Sequence, residues 1–355
     1  MLARSRRLRL ASQPLSGPLL VPSVSSKGFP VGRDGVSEAG AALDVVGQDL
    51  HESLLVSAYD LHFGLVPDAG RALGEGHGST VYANPQLLVI DSGGYELLAD
   101  SFEAGEQRRG PYAPRAGYGR EQFEEVLDRL PAGRDLLVVS YDEPPGPDDP
   151  GRPDYRGQRE EAQAQLAERL AGRPLARRAF LVKPAGRAPF LDVAAMTPDA
   201  PNLRAFDVIG VTEKELGGTV LDRLVALARL RRLLDDCGGE DLPVHVFGGL
   251  DPLMTPLLFM AGAEIFDGLS WLRYAYLDGL AVHPESLSVL AGDVDQRQER
   301  RDALRRVLNL RELQQLKHRL ARWAQEPDRY DALGPRHQAL REIYEIMTAK
   351  LAQKG

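Results

Sequence analysis

Short apolar runs alternate with helix-like stretches along most of this chain, and this alternation most strongly constrains its fold. The runs occupy residues 18–24, 53–58, 87–90, 135–140, 179–183, 206–211, 244–247 and 264–266. The clearest amphipathic stretches between them occupy residues 121–130, 159–170, 220–235 and 252–261. Alternating strands and helices imply a parallel sheet, and about eight strands close such a sheet into a barrel. We therefore predict an α/β fold, a (β/α)8 TIM barrel with a C-terminal helical extension.

The strand pattern ends near residue 280, and the remaining sequence has a helical composition. We therefore predict two parts, a barrel of residues 1–280 and a basic helical C-terminal extension of residues 281–355. An open doubly wound sheet is the alternative fold. No GxGxxG turn follows an early strand to support that alternative.

Composition excludes several classes of protein. No apolar run approaches the roughly 18 residues that cross a bilayer, so we expect no membrane contact. The basic N-terminus lacks the apolar core of a secretory signal, which predicts a first hairpin and strand there and a cytoplasmic location. Cys237 is the only cysteine, so we predict no intramolecular disulfide and no zinc site of several thiolates. We also expect no cofactor. The net charge of −8 implies that any contact with nucleic acid comes from local basic patches.

The sequence LLVIDSGGYE, residues 87–96, has the composition of a buried strand that ends in a site. Its four apolar residues lead into the carboxylate of Asp91. Ser92, Gly93 and Gly94 follow and are small enough to let a ligand approach the backbone before the aromatic ring of Tyr95. A helix cap and an ordinary turn are the alternative interpretation.

Polar residues and glycines also follow other predicted strands. They include Tyr141, Asp142, Glu143 and Pro144, then Gly210, Thr212 and Glu213, then Gly248 and Gly249, and finally Asp267 and Gly268. Each group alone is consistent with a turn. Because the C-terminal ends of barrel strands meet at one rim, where this fold carries its chemistry, the repetition predicts a site at that rim.

Two irregular segments interrupt the pattern. The loop at residues 102–120 combines arginine with tyrosine, which suits phosphates and stacked bases, although a solvated loop explains it equally well. Its members of these types are Arg108, Arg109, Tyr112, Arg115, Tyr118 and Arg120. The connector at residues 144–157 is proline-rich and acidic and shows no evident chemistry.

The extension combines an apolar helical face with many arginines. Leu313, Leu316, Leu320 and Trp323 recur at helical spacing, so we expect this face to pack on the barrel. We expect the neighbouring arginines to point outward and to contact phosphates, with a solvated face as the alternative. The arginines chosen for this role are Arg300, Arg301, Arg305 and Arg306.

Four motifs in this order are similar to those of the tRNA-guanine transglycosylases, α/β barrels that exchange guanine in a polynucleotide for a 7-deazaguanine. They are DSGGYE at Asp91, SYDEP around Asp142, DVIGV at residues 207–211, and VHVFGGLDPLMTPLLFMAGAEIFDG at residues 244–268. The similarity extends over residues 15–280. It implies a glycosyltransferase that acts on tRNA or DNA through a covalent aspartyl-glycosyl intermediate.

The resemblance also implies roles for single residues. Asp267 corresponds to the nucleophile and Asp91 to the general acid/base, a pair of carboxylates of the kind that retaining glycosidases use. Tyr95 corresponds to the aromatic that stacks on the extruded base, and Asp142 to the carboxylate that reads the guanine edge. The base pocket implied in this way comprises Tyr95, Asp142, Gly210, Lys183, Ser92, Gly93 and Gly94. Arg273, which follows the nucleophile at the family's spacing, is assigned to nucleic acid together with the four arginines of the extension.

The chain also departs from that family. The zinc site of three cysteines and a histidine is missing, Lys183 and Glu96 stand where the family has glutamines, and Ser57 stands where it has an asparagine. These differences imply a divergent, zinc-less paralogue. Its substrate is either tRNA, in a queuosine-type modification, or DNA, and both alternatives stay open. We expect nucleic acid and a free 7-deazaguanine as partners, with homo-oligomers and hetero-oligomers both open. A non-catalytic partner subunit and a ribosyltransferase that acts on a free nucleoside or nucleotide are the alternative functions.

Overall fold

Eight parallel strands close into a barrel at the centre of the molecule, which confirms the predicted fold class. The computed structural model describes residues 2–73, 82–98, 112–142, 144–146, 148–290, 292, 294–295 and 297–353. In chain order the barrel strands β1 to β8 are Leu19–Val24, Ser53–Ser57, Leu87–Asp91, Leu136–Val139, Ala176–Val182, Val208–Thr212, Val244–Phe247 and Ile265–Gly268. Strand β8 pairs with β1 and aligns Asp267 with Val21, which closes the barrel.

Helices surround the barrel and form the C-terminal extension. In chain order α1 to α12 are Glu38–Val46, Ala58–Phe63, Ala69–Ala72, Gly94–Leu97, Arg120–Arg129, Tyr155–Arg169, Val220–Asp236, Met254–Met260, Ser270–Arg273, Pro284–Leu290, Gln298–Gln325 and His337–Ala352. Four segments of the described residues are 3-10 helices: Gly47–Asp49, Ala194–Ala205, Glu213–Leu216 and Tyr330–Leu333. Two short antiparallel ribbons pair Arg7–Leu8 with Leu15–Ser16, and Ala275–Leu277 with Leu280–Val282. The first ribbon confirms the predicted N-terminal hairpin.

The alternation of side chains along the strands positions the site. Inward-facing Val21, Val89, Leu181 and Ile265 belong to one buried cluster inside the barrel, which Leu15 of the N-terminal hairpin joins. Successive side chains of a strand point to opposite faces, so the residue two positions further on also faces the interior. Ser23, Asp91, Lys183 and Asp267 occupy those positions at or just beyond the C-terminal ends of their strands. The predicted rim residues therefore converge at one mouth of the barrel.

The extension packs against the barrel through α11. The predicted apolar face is confirmed, because Leu313, Leu316, Leu320 and Trp323 are all buried. The expectation that the neighbouring arginines point outward is wrong for Arg305 and Arg306, which are buried as well. The physical reason is helical phase: Arg305 lies five turns before Trp323 and therefore on the same face of the helix. Arg301 is half-buried and Arg300 is exposed.

Among the described residues, no helix combines the length and apolar character that crossing a membrane requires.

Candidate active site

The candidate nucleophile, Asp267, is held at the barrel mouth by one hydrogen bond to each carboxylate oxygen. The Ser23 hydroxyl donates to Oδ2 at 2.8 Å, and His245 Nε2 lies 3.0 Å from Oδ1. Ser23 itself accepts from the Gly268 backbone N–H at 3.1 Å, which orients its hydroxyl proton toward Asp267. The side chain is 8% exposed, so it is fixed in orientation yet reachable from the mouth.

The geometry around His245 favours one tautomer of its ring. The ring is fully buried and stacks on Phe247 with 3.9 Å between ring centroids. Its Nδ1 atom has no hydrogen-bond partner among the described residues. A proton on Nδ1 would therefore be a buried, unsatisfied donor, whereas a proton on Nε2 is donated to Asp267. We infer that Nδ1 of His245 carries no proton and that the Nε2 N–H donates to Asp267.

The candidate general acid/base, Asp91, has a protonation equilibrium that differs from that of an ordinary aspartate. Burial, as the larger cause, and the negative charge of Asp267, as the second cause, raise the pKa of Asp91 to about 6. Backbone N–H groups of Gly93 and Ser92 act in the opposite direction, and the Gly93 N–H donates to Oδ2 at 3.3 Å. Asp91 and Asp267 are therefore close enough to interact electrostatically, and Asp91 is suited to exchange protons near neutral pH.

The two glycines after Asp91 are required by close packing. Gly93 has a φ of +89°, and a Cβ there would lie 2.8 Å from the Cβ of Tyr59. A Cβ on Gly94 would lie 2.4 Å from the carbonyl oxygen of Asp142. The Ser92 hydroxyl accepts from the Gly94 N–H at 3.3 Å, so this loop is folded tightly against the end of β4.

The ring of Tyr95 is accessible beside the mouth. Tyr95 as a whole is 40% exposed, and Lys27 Nζ lies 4.3 Å from the ring centroid. Arg273 Nη2 donates to the Tyr95 hydroxyl at 3.4 Å and to the Lys27 carbonyl oxygen at 3.3 Å. Lys27 is buried and donates to the carbonyl oxygens of Tyr95 and Leu98, so it supports the ring from one side. An exposed aromatic ring held in this way can stack on a base.

The candidate base reader, Asp142, lies in a network of charged side chains. Lys183 Nζ lies 3.1 Å from Asp142 Oδ2, 2.9 Å from a Glu215 oxygen and 3.0 Å from the Thr212 hydroxyl. Burial alone would lower the pKa of Lys183, but Asp142 and Glu215 outweigh burial and raise it. Lys183 is therefore a cation whose three N–H donors are all used within the protein.

The other oxygen of Asp142 is bound by Arg152, which belongs to the proline-rich connector. Arg152 Nη2 and Nε donate to Asp142 Oδ1 at 3.0 and 3.2 Å. The connector is fixed by two backbone hydrogen bonds of 2.9 Å between Arg152 and Gly186. An open cavity of about 270 Å³ is lined by this segment together with Asp142, Lys183 and Arg120. The sequence did not reveal this role of the connector.

Gly210 leaves room for another side chain of the barrel. A Cβ on this residue would lie 2.6 Å from Cε2 of Phe247, so the space beside Gly210 is taken by that ring. Ser57, the counterpart of the family's asparagine, is buried and accepts from the Tyr59 N–H at 3.2 Å as the cap of α2.

Two more buried carboxyl groups lie behind Asp91. Asp60 accepts from the Ser26 N–H at 2.8 Å, and Glu96 accepts from the Ser25 hydroxyl. Burial, partly offset by hydrogen bonds, raises the pKa of Asp60 to about 7. Burial, together with Asp60 and Asp91, raises the pKa of Glu96 to about 8. One oxygen of each carboxyl has no hydrogen-bond partner among the described residues. Both groups therefore hold a proton over much of the neutral range.

A scan of protein-family models and a search of curated protein sequences find no match to this chain. The assignment of roles at the mouth therefore depends on the geometry and on the motifs of the sequence.

Most predicted site residues meet at this mouth. Asp91, Asp142, Asp267, Lys183, Tyr95 and Arg273 all lie there, whereas Arg108, Arg109 and Glu143 lie outside the described residues. Sequence reasoning missed His245, Ser23 and Arg152. His245 could have been found, because it is a polar residue at an inward position of an apolar strand. Arg152 could not, because its contact depends on how the connector folds back.

Proposed function

We propose that this chain is a transglycosylase that exchanges a guanine base in nucleic acid for a 7-deazaguanine through a covalent aspartyl-glycosyl intermediate. The observation that carries the proposal is the pair of carboxyl groups Asp267 and Asp91 at the barrel mouth. Asp267 is held by a hydrogen bond to each of its oxygens, which fixes it for attack. Burial, and then the charge of Asp267, raise the pKa of Asp91 to about 6. A carboxyl group with a raised pKa beside a second, fixed carboxylate is typical of an acid/base and nucleophile pair.

The reaction proceeds in two balanced steps. An oxygen of Asp267 forms a bond to the anomeric carbon, and the glycosidic bond breaks with its electron pair passing to the departing guanine. Asp91 gives its proton to that base. The incoming base then loses a ring N–H proton to Asp91 and attacks the anomeric carbon. The ester bond breaks in turn and returns its electron pair to Asp267.

The charge network around Asp142 supports recognition of guanine. Guanine presents a ring N–H and an amino group, two donors that a carboxylate accepts side by side. Arg152 presents two N–H donors to Asp142 Oδ1, and Lys183 Nζ lies 3.1 Å from Oδ2. Both oxygens of Asp142 are thus directed at N–H donors, as recognition of a guanine edge requires.

The test is trapping of the adduct. Protein incubated with labelled guanine and with tRNA, duplex DNA or free nucleoside should incorporate label into a polynucleotide. It should also form a protein–polynucleotide band on a denaturing gel. Asp267→Asn should lose both signals, whereas Asp241→Asn, at a fully exposed carboxylate, should keep them. Label in free nucleoside alone would favour the ribosyltransferase alternative. An adduct formed by Asp267→Asn at the wild-type rate would refute the assignment.

A further inference from the structure

The outer face of α11 carries a straight row of arginines. Arg300, Arg311 and Arg322 are all exposed and follow one another at intervals of eleven residues. Eleven residues complete about three turns, so each arginine lies only about 20° around the helix from the one before. At a rise of about 1.5 Å per residue the row is about 33 Å long. We call Arg300, Arg311 and Arg322 the arginine stripe.

The stripe contains no carboxylate of its own helix among the described side chains. Asp302 pairs with buried Arg305 at 3.2 Å, and Glu312 lines a small cavity beside Leu313 on another side of α11. None of the three arginines forms a salt bridge with a described residue. Asp331 interacts electrostatically with Arg322 at one end but is itself bound by Arg329. The stripe is therefore a local positive surface on a protein of net charge −8.

The helix that carries the stripe is fixed to the segment following the candidate nucleophile. Asn309, which is fully buried, donates to the carbonyl oxygens of Trp271 and Tyr274 at 2.7 Å each. Its side-chain oxygen accepts from the Tyr276 N–H at 2.7 Å. The middle of α11 is thereby held a few residues along the chain from Asp267, next to the rim of the barrel.

We propose that the arginine stripe is a docking surface for the phosphate backbone of duplex DNA. Its length of about 33 Å corresponds to about one turn of the duplex, which repeats every 34–36 Å or so. Arginine contacts to phosphate position a duplex without reading its sequence. Single strands are bound on exposed aromatic rings, and the one aromatic residue of α11 apart from histidine, Trp323, is buried. The inference rests on the proposed function and names its polynucleotide.

The experiment compares two triple variants of equal charge change. The first replaces Arg300, Arg311 and Arg322 with glutamine. The second replaces exposed Arg7, Arg9 and Arg129, which lie near the opposite end of the barrel strands, with glutamine. Binding to a duplex DNA of roughly three helical turns is measured across a range of salt concentrations. Circular dichroism checks that both variants are folded.

The stripe variant should bind duplex DNA about 10²- to 10³-fold more weakly at about 0.1 M salt. The slope of log affinity against log salt should become shallower by up to about 2.7, since each lost phosphate contact contributes about 0.9. The control variant should remain close to wild type. Equal affinity and slope for both variants would overturn the inference. Loss of affinity for a duplex RNA of equal length, with DNA binding unchanged, would overturn the choice of DNA.

Failure of the inference and failure of the proposed function give different results. Because Asp267 is intact in the stripe variant, saturating protein should still form the covalent adduct. Stripe-dependent DNA binding by a wild-type protein that forms no adduct would refute the proposed function and leave the docking surface standing. An adduct formed equally by wild type and stripe variant at limiting DNA would refute the docking surface alone.

Discussion

His245 is the residue whose contact with Asp267 most directly affects the proposed chemistry. A donor on Oδ1 stabilises the ionised carboxylate and fixes its orientation. We predict that His245→Phe slows adduct formation roughly ten- to a hundredfold, because it removes the donor. Phenylalanine can still stack on Phe247. His245→Gln, which can place an N–H near the position of Nε2, should recover most of the rate.

The measurement is the single-turnover rate of adduct formation at saturating substrate, with circular dichroism as the check that both variants are folded. His245→Phe should lower this rate and His245→Gln should restore most of it, because only glutamine can offer an N–H to Asp267. A residue that only fills space would give equal rates in the two variants, and that result would contradict this role of His245.

Asp60 and Glu96 should make the protein less stable as pH rises. The pKa values of these carboxyls are raised in the folded state, to about 7 for Asp60 and about 8 for Glu96. The folded chain thus keeps protons that the unfolded chain has lost. The stability they contribute is complete below the unfolded pKa values and is lost as pH rises through the folded ones. Each group changes the free energy of unfolding by up to about 1.4 kcal/mol per pH unit in that window.

We therefore predict that Glu96→Gln flattens the pH dependence of stability by the contribution of one group. Urea unfolding between about pH 5 and pH 9 measures this. The free energy of unfolding of Glu96→Gln should increase relative to that of wild type as pH rises. Glu121→Gln, at an exposed position on α5, is the control, and its free energy of unfolding should depend on pH in the same way as that of wild type. Parallel curves for Glu96→Gln would show that Glu96 titrates as an ordinary carboxyl group.

At the scale of elements, the connector depends on Gly151. This glycine has a φ of +98°, and a Cβ there would lie 2.5 Å from the backbone of Gly186. Gly151→Ala should therefore loosen the connector at a cost of about 1–3 kcal/mol. The amides of Arg152 and Gly186, which bond to each other's carbonyl oxygens, should exchange hydrogen roughly five- to a hundredfold faster.

Hydrogen exchange followed by mass spectrometry tests this prediction. Gly172→Ala is the matched control, because its Cβ would meet no atom within 4 Å and its φ is not positive. Unchanged exchange at Arg152 and Gly186 in Gly151→Ala would mean that these backbone hydrogen bonds do not depend on glycine at position 151.

The elements were predictable where a local pattern determines them. All eight strands were predicted to within a few residues, because strands buried on both faces appear as apolar runs. The positions of Asp91 and Asp267 followed from the same runs. The contacts of His245 and Arg152 were not predictable, because they join segments that meet only when the barrel closes and the connector folds back. The outward orientation expected of Arg305 and Arg306 was wrong because it was extended to all arginines near the apolar face, whereas burial follows helical phase.

At the scale of the whole molecule, Trp323 joins the extension to the barrel. Its ring is fully buried, with centroids 6.3 Å from Phe259 of α8 and 6.1 Å from Tyr344 of α12. Because this side chain of α11 packs on a barrel helix and on α12 of the extension, we expect barrel and extension to unfold together. We predict that Trp323→Ala lowers the free energy of unfolding by about 3–5 kcal/mol.

The two tryptophans make this prediction testable for each part separately. In Trp323→Ala the only remaining tryptophan is Trp271, which is buried just after β8. Its fluorescence therefore reports unfolding at the rim of the barrel, where α11 is attached through Asn309. In Trp323→Ala the Trp271 transition should move to a lower denaturant concentration that corresponds to the whole predicted loss of unfolding free energy. Trp323→Phe should lose less unfolding free energy because it keeps an aromatic ring in place. A Trp271 transition unchanged from Trp323→Phe to Trp323→Ala would mean that the extension unfolds independently. The arginine stripe would then belong to a separate unit, since α11 is fixed beside Asp267 only while barrel and extension fold as one.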